Sequence, residues 1–266
     1  MKKIFISFLL VLIFCITNLS YSKNKKVEVG IDEHLGKYIP TDVFFYDESG
    51  NKVLLKDLIT TPTVFAFVYY QCPGLCTPLM SEIADVVGKI NMIPNKDYRI
   101  ITLSMDEHET PKIATEKKKT FLKMINGKFP ETGWRFLTGD SLNIKKLADA
   151  MGFYFQRQGK NFLHTGALIF LSPKEKITRY LFPDYKEGHG YSILPFNMKM
   201  ALIEASEGKA SPTITQVLQY CYSYNPKAKT YMINITRVSG AGILILAAIF
   251  VGYLNFKPKK KKLKEG

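Results

Sequence analysis

The apolar and polar positions of this chain follow distinct rhythms, and each rhythm predicts an element. From Thr63 to Tyr70 the run TVFAFVYY is apolar almost without a break and rich in β-branched and aromatic residues. That is the pattern of a strand covered on both faces. Upstream, VFFYDESGNKVLL reads as two strands around a turn at Glu48-Ser49-Gly50-Asn51. Downstream, Leu79, Ile83, Val86, Val87 and Ile90 recur at helical spacing within Pro78–Ile90. Tyr98–Met105 predicts a strand, and Pro111–Met124 a lysine-rich amphipathic helix opening on proline. Leu142–Met151 predicts a helix, Phe153–Phe155 a short strand, and Ala167–Leu171 with Ile177–Tyr180 two strands joined by a turn at Pro173. Asn197–Ala205 predicts the last helix of the body.

The order strand, helix, strand, helix, two antiparallel strands, helix predicts an α/β class chain with a thioredoxin-like fold and an N-terminal β-hairpin extension. Both ends carry a different pattern. MKKIFISFLLVLIFCITNLSYS has a basic start, an apolar stretch from Ile4 to Ile16 and small residues at Ser20 and Ser22, as a secretory signal peptide does. Val238 to Phe256 contains nineteen residues without a charge. As a helix they reach roughly 28 Å, enough for a bilayer core. The chain therefore divides into a signal peptide (1–22), a loose start (23–29), the thioredoxin-like domain (30–205), a membrane-proximal linker (206–237), one C-terminal transmembrane helix (238–256) and a basic tail (257–266).

Charge refines this picture. The formal net charge is +14, but the last ten residues contribute +5, and Lys2 and Lys3 add two more. The rest is spread through the body with no sustained basic and aromatic run, so nucleic acid is not an expected partner. The lysine tail marks the cytoplasmic side of the transmembrane helix. The body is then expected outside the cytoplasm, on the extracytoplasmic or periplasmic side of a single-pass anchor.

The candidate chemistry lies at the end of the strongest strand. Cys72 and Cys76 are two of the chain's four cysteines, too few for a disulfide scaffold of 266 residues. They sit where a central strand gives way to its first helix, the end at which open α/β sheets place their chemistry. Near a helix N-terminus a thiolate is favoured over a thiol. The spacing leaves a disulfide, a redox couple and a metal clamp all open. Of the four histidines, His164 precedes a strand expected beside the central one, so it is the candidate third ligand of a Cys2His site. Soft sulfur donors suit Cu(I), an imidazole helps to hold Cu(II), and zinc also accepts this set. His34 and His108 lie in acidic polar stretches and read as solvated, and His189, between two glycines, reads as a loop residue.

These stretches resemble the SCO/SenC family of thioredoxin-like, membrane-anchored copper proteins that assist cytochrome c oxidase assembly. The likeness rests on YYQCPGLC (Tyr69–Cys76), SMDEHETP (Ser104–Pro111), WRFLTGD (Trp134–Asp140), the Gly152-Phe153 pair and His164. It spans roughly Gly30 to Ala205. The resemblance implies that Cys72, Cys76 and His164 bind a copper ion, Cu(I) or Cu(II). It implies delivery to the binuclear copper centre of cytochrome c oxidase subunit II, with a periplasmic copper donor and a thiol reductant as further partners. It also implies that the Cys72 and Cys76 thiols reduce cysteines in such a target. Asp106 matches an acidic residue beside the family site, placed to orient a ligand or neighbouring backbone. Trp134 reads as core packing, and Glu109-Thr110-Pro111 as the start of the next helix.

Three features depart from the usual family pattern. Thr77 separates the second cysteine from Pro78, as in a bacterial subgroup, which implies the bacterial inner membrane. The anchor is C-terminal. QYCYSYNPKAKTY, just before that anchor, carries Asn225 where C-terminally anchored relatives have aspartate, and leaves Cys221 without an obvious partner. One feature separates metal binding from thiol exchange. Thioredoxin-like reductases usually present a proline before the strand facing the disulfide, whereas this chain has His164-Thr165-Gly166 there.

Overall fold

The computed structural model describes residues 29–186, 190–211, 222–225 and 230–233, with 246, 247 and 250 besides. The signal peptide, His189, Cys221, the basic tail and all of 238–256 but Leu246, Ala247 and Phe250 lie outside the described residues. Among the described residues no helix is long and apolar enough to cross a membrane.

The uninterrupted apolar run becomes β4 (Thr63–Val68), buried at every residue. It is the middle strand of a five-stranded sheet. Beside it lie β5 (Arg99–Ser104), parallel, and β10 (Leu168–Leu171), antiparallel. Outside these are β6 (Trp134–Leu137), parallel to β5, and β11 (Ile177–Leu181), antiparallel to β10, so that the order is β11-β10-β4-β5-β6. This is the expected thioredoxin-like sheet. Continuous burial of β4 follows from its place: it has strands on both sides and side chains on both faces, which only an apolar run tolerates.

Four helices of ten residues or more complete the domain: α2 (Cys76–Val87), α3 (Pro111–Met124), α4 (Ser141–Ala150) and α5 (Pro195–Ser206). A single turn, α1 (Leu55–Leu58), precedes β4. The predicted bounds of α3 are those observed, because proline at its first position and an extended Ile125 at its end punctuate it. Helix α2 begins two residues earlier than its apolar period predicts, at Cys76 itself.

The N-terminal hairpin consists of β2 (Phe44–Tyr46) and β3 (Lys52–Leu54). It docks beside β6 through paired backbone bonds between Tyr46 and Thr138, 2.7 and 2.9 Å. Its turn lies at Glu48-Ser49-Gly50-Asn51 as the sequence predicts, with Ser49, Gly50 and Asn51 exposed. Glu48 is nearly buried and accepts from Lys118 (2.9 Å), the Phe136 N–H (2.8 Å) and Arg135 (3.1 Å), while Asp47 also receives Arg135 at 3.0 Å. The hairpin is thus fastened to β6 and α3 by charge.

At the opposite edge, β1 (Gly30–Ile31) pairs with β7 (Phe153–Tyr154). Gly152 enters β7 at φ +59°, and a Cβ there would stand 1.8 Å from the Asp32 carbonyl oxygen. Only glycine allows both that backbone turn and that approach. His34, read as solvated, is instead half-buried: its Nδ1–H donates to the Ala150 carbonyl at 2.8 Å.

Three short hairpins have no strong sequence pattern. They are β8 (Gln156–Gln158) with β9 (Asn161–Leu163), β12 (Asp184–Lys186) with β13 (Gly190–Ser192), and, inside the segment read as a linker, β14 (Tyr222–Asn225) with β15 (Thr230–Ile233). Their three or four residues per strand fall short of the length at which alternation is legible.

Candidate metal centre

The loop after β4 carries Cys72 into solvent reach and Cys76 into the core. Cys72 is half-buried and Cys76 fully buried, and both are free thiols. Helix α2 has no side-chain cap at its N-terminus. The Cys72 sulfur takes that place: it accepts from the Cys76 N–H at 3.5 Å and from the Gly74 N–H at 3.3 Å. A sulfur so placed is a better acceptor as thiolate than as thiol.

His164 reaches the same point from the connection between β9 and β10. Its Nε2 is 3.5 Å from the Cys76 sulfur, although the two residues are 88 apart in sequence. Its Nδ1 lies 3.2 Å from the Thr165 carbonyl oxygen. A carbonyl only accepts, so Nδ1 carries the proton in the neutral ring. Nε2 therefore turns a lone pair toward the cysteines, the tautomer a metal ligand needs. The donor atoms of Cys72, Cys76 and His164 all lie within 4.8 Å of one another. Metal bonds of about 2.0–2.3 Å to nitrogen and sulfur need donors roughly 3.5 Å apart, so small movements close the set around an ion. Three donors, two of them half-exposed, leave one side open.

The two thiols differ. Hydrogen bonds from the Cys76 thiol, and then from Tyr69 and the Cys76 N–H, outweigh burial and hold the Cys72 pKa well below the ordinary thiol range. Cys76 is pushed up, because it donates to the Cys72 sulfur and is buried beside that negative charge. Iodoacetamide is therefore expected to alkylate Cys72 and spare Cys76. The rate should be nearly flat through neutral pH, where an ordinary thiol of pKa about 8.5 gains about tenfold per pH unit. Peptide mass mapping after labelling at two pH values checks this. Preferential modification of Cys76 would contradict the asymmetry.

Two aromatic residues wall the site. The Tyr69 ring meets His164 edge-on, centroids 5.9 Å apart, and packs on Phe162 at 5.1 Å. Gly166 leaves room for Tyr191, whose hydroxyl would stand 2.5 Å from a Cβ at that position.

Asp106, expected to orient a ligand or nearby backbone, engages Arg157 and the neighbouring backbone of His108. Its Oδ1 receives Arg157 at 2.7 Å, the His108 N–H at 3.1 Å, and lies 3.0 Å from His108 Nδ1. The residue that holds the cysteine loop is Glu109, read from sequence only as a helix start. It is 5% exposed and accepts the N–H groups of Tyr70 and Gln71 at 2.7 Å each, with the Ser104 hydroxyl at 2.6 Å. The sequence signal available was a carboxylate beside a motif, with no indication of its direction. Asp106, Glu107 and His108 form a second group of clustered donors. The Arg157 guanidinium, 2.7 Å from Asp106 and 2.6 Å from Glu107, already supplies its positive charge.

Comparison with known proteins places this geometry. The SCO1/SenC family model matches residues 35–193. No curated protein sequence matches the chain. Among solved structures, one from Aquifex aeolicus VF5, named as a candidate electron transfer protein, is 28% identical with a TM-score of 0.56, covering 65% of this chain and 95% of its own. A second from the same organism, named as a candidate electron transport protein, is 27% identical with a TM-score of 0.53, covering 65% and 99%.

Proposed function

The chain belongs to the SCO1/SenC family, and on that premise we propose that it is a copper carrier. The Cys72 and Cys76 thiolates and the His164 imidazole hold one copper ion, Cu(I) or Cu(II), as cargo. The observation that carries this reading is the convergence of the two sulfurs and an imidazole nitrogen within 4.8 Å. Thiolate sulfur favours Cu(I), and imidazole extends the set to Cu(II). A structural zinc site usually closes with a fourth ligand, which the described residues do not bring here.

The open side gives transfer a route. An incoming acceptor ligand approaches the exposed face of the ion and displaces His164 or the more exposed Cys72, while buried Cys76 remains bound longest. The acceptor in this reading is the binuclear copper centre of cytochrome c oxidase subunit II, with a periplasmic copper donor upstream. The apolar segment 238–256 holds the domain at the outer face of the bacterial cytoplasmic membrane. Titration of the reduced full-length chain with copper is expected to saturate at one ion per chain. Absence of uptake would overturn the carrier reading.

The asymmetry of the thiols supports a second reading, an extracytoplasmic thiol–disulfide reductase, and the names of the two Aquifex relatives are in line with it. The Cys72 thiolate attacks a target disulfide, forming a mixed disulfide and releasing one target thiolate. Cys76, losing its proton, then attacks Cys72, releasing the second. Two electrons pass to the target and the pair ends oxidised, so a separate thiol reductant must restore it. A Cys72–Cys76 reduction potential too oxidising to reduce exported cysteine pairs would remove this reading and leave the carrier intact.

A further inference from the structure

One short segment grips both halves of the candidate metal centre. Residues 104–109 run from the last residue of β5 toward α3. Through Ser104 and Glu109 the segment fixes the backbone of Tyr70 and Gln71, immediately before Cys72. Through Asp106 and Glu107 it holds Arg157, at 2.7 and 2.6 Å. Arg157 lies on β8, in the hairpin whose second strand, β9, ends one residue before His164.

That hairpin is also held by Phe162, which packs on Tyr69 and Phe155. All three residues of β8 are exposed, and Phe162 is the single buried residue of β9. A two-stranded hairpin is marginal on its own. Arg157 addresses both weaknesses, because its guanidinium also lies over the Phe162 ring, 4.3 Å from the centroid. From Phe162 the contact passes to Tyr69 at 5.1 Å and from Tyr69 to His164 at 5.9 Å. The polar groups that face Arg157 are the two carboxylates and the 73%-exposed His108 ring, 3.4 Å away at Nδ1.

We propose that Arg157 is a positioning residue for the metal centre. Its clamp on Asp106 and Glu107 fixes the β8–β9 hairpin so that His164 Nε2 faces the cysteines. The inference rests on the copper-carrier reading for its consequence, but its geometry stands without metal. A guanidinium is suited to this task because its Nη2 donates to both carboxylates while its face stacks on a ring.

The test compares the full-length reduced chain with Arg157→Gln, His164→Ala and the double variant. Copper titration should show Arg157→Gln weakening uptake by about tenfold, the lower end for loss of an outer hydrogen-bonding partner. In the His164→Ala background the same change should have no effect, since the ligand it positions is gone. Equal losses in both backgrounds, or none in either, would overturn the proposal. A metal-free readout separates this from failure of the carrier reading. Diethylpyrocarbonate should label His164 severalfold faster in Arg157→Gln, with half-buried His34 unchanged as an internal reference. An unaltered His164 rate would overturn the clamp even in a chain that takes up no copper. Where Arg157→Gln does not fold, Asp106→Asn is carried through the same two measurements. Weakened uptake and faster His164 labelling then support the clamp, and no change in either overturns it.

Discussion

Copper uptake is expected to vanish in chains carrying Cys72→Ser or Cys76→Ser, and to survive in weakened form in His164→Ala. Each cysteine supplies a soft anionic donor, and a hydroxyl is a poor replacement for thiolate toward Cu(I). His164 is the neutral member of the set. Its removal should still cost more than the about 10–100-fold that follows loss of a partner hydrogen-bonded to a ligand. The pH dependence follows from the two thiols. Cys72, its pKa lowered by the Cys76 thiol and the groups around it, is already ionised at neutral pH. Cys76, raised by the neighbouring Cys72 charge and by burial, still holds its proton. Binding must expel that one proton, so protons compete and affinity falls as pH falls. Each pH unit is worth 1.36 kcal/mol per proton. The logarithm of the association constant should therefore rise about one unit per pH unit near neutrality. A slope near two would mean that both thiols are protonated in the free protein. Competition titrations against a copper chelator at three pH values measure the slope directly.

Glu48→Ala is expected to destabilise the domain by about 3 kcal/mol at neutral pH, the low end for breaking a buried ion pair from one side. The Glu48 side chain is only 8% exposed, and it is shared by Lys118, Arg135 and the Phe136 N–H. Its removal leaves Lys118 in a largely buried place without its carboxylate, while Arg135 retains Asp47. Burial alone opposes ionisation of Glu48, but hydrogen bonds from Arg135, Lys118 and the Phe136 N–H outweigh it, and its pKa is lowered. A lowered carboxylate contributes its stability above the unfolded value, about 4.3, and loses it as pH falls through the folded value. The gap between wild type and the isosteric Glu48→Gln should accordingly be widest near neutrality and close below about pH 4. Urea unfolding midpoints at both ends of that range provide the check. A neutral-pH difference between wild type and Glu48→Ala below about 1 kcal/mol would show that the hairpin turn is held by its backbone pairing alone.

The sequence carried the core of the fold because burial leaves a periodic mark. An apolar run in Thr63–Val68 predicts a strand covered on both faces, and the structure sets it in the middle of five. Proline at the head of Pro111–Met124 and the apolar stripe along α2 locate helices for equally local reasons. The strand β6 carries no such mark. Its four residues, WRFL, are too few for alternation, although Trp134, Phe136 and Leu137 are all buried. Cys72 and Cys76 are legible as a pair at a strand end, and His164 as a histidine before a neighbouring strand. Their shared point, with Nε2 3.5 Å from the buried sulfur, follows from β10 lying antiparallel against β4.

Polar partners leave no periodic trace. Glu48 and Glu109 look like surface carboxylates in a turn and at a helix start, yet Glu109 is a buried acceptor and Glu48 a nearly buried one. Asp106 stands out in its motif but faces Arg157, fifty-one positions away, which no local pattern singles out. The sequence by itself determined which segments are buried, where the central strand ends, and that two cysteines stand at that end. Tertiary structure alone decided which charges meet across the loops and which carboxylate braces the cysteine loop. Hydrophobic periodicity is a one-dimensional signal of burial, whereas a polar contact depends on strand order and on the direction of two unrelated loops.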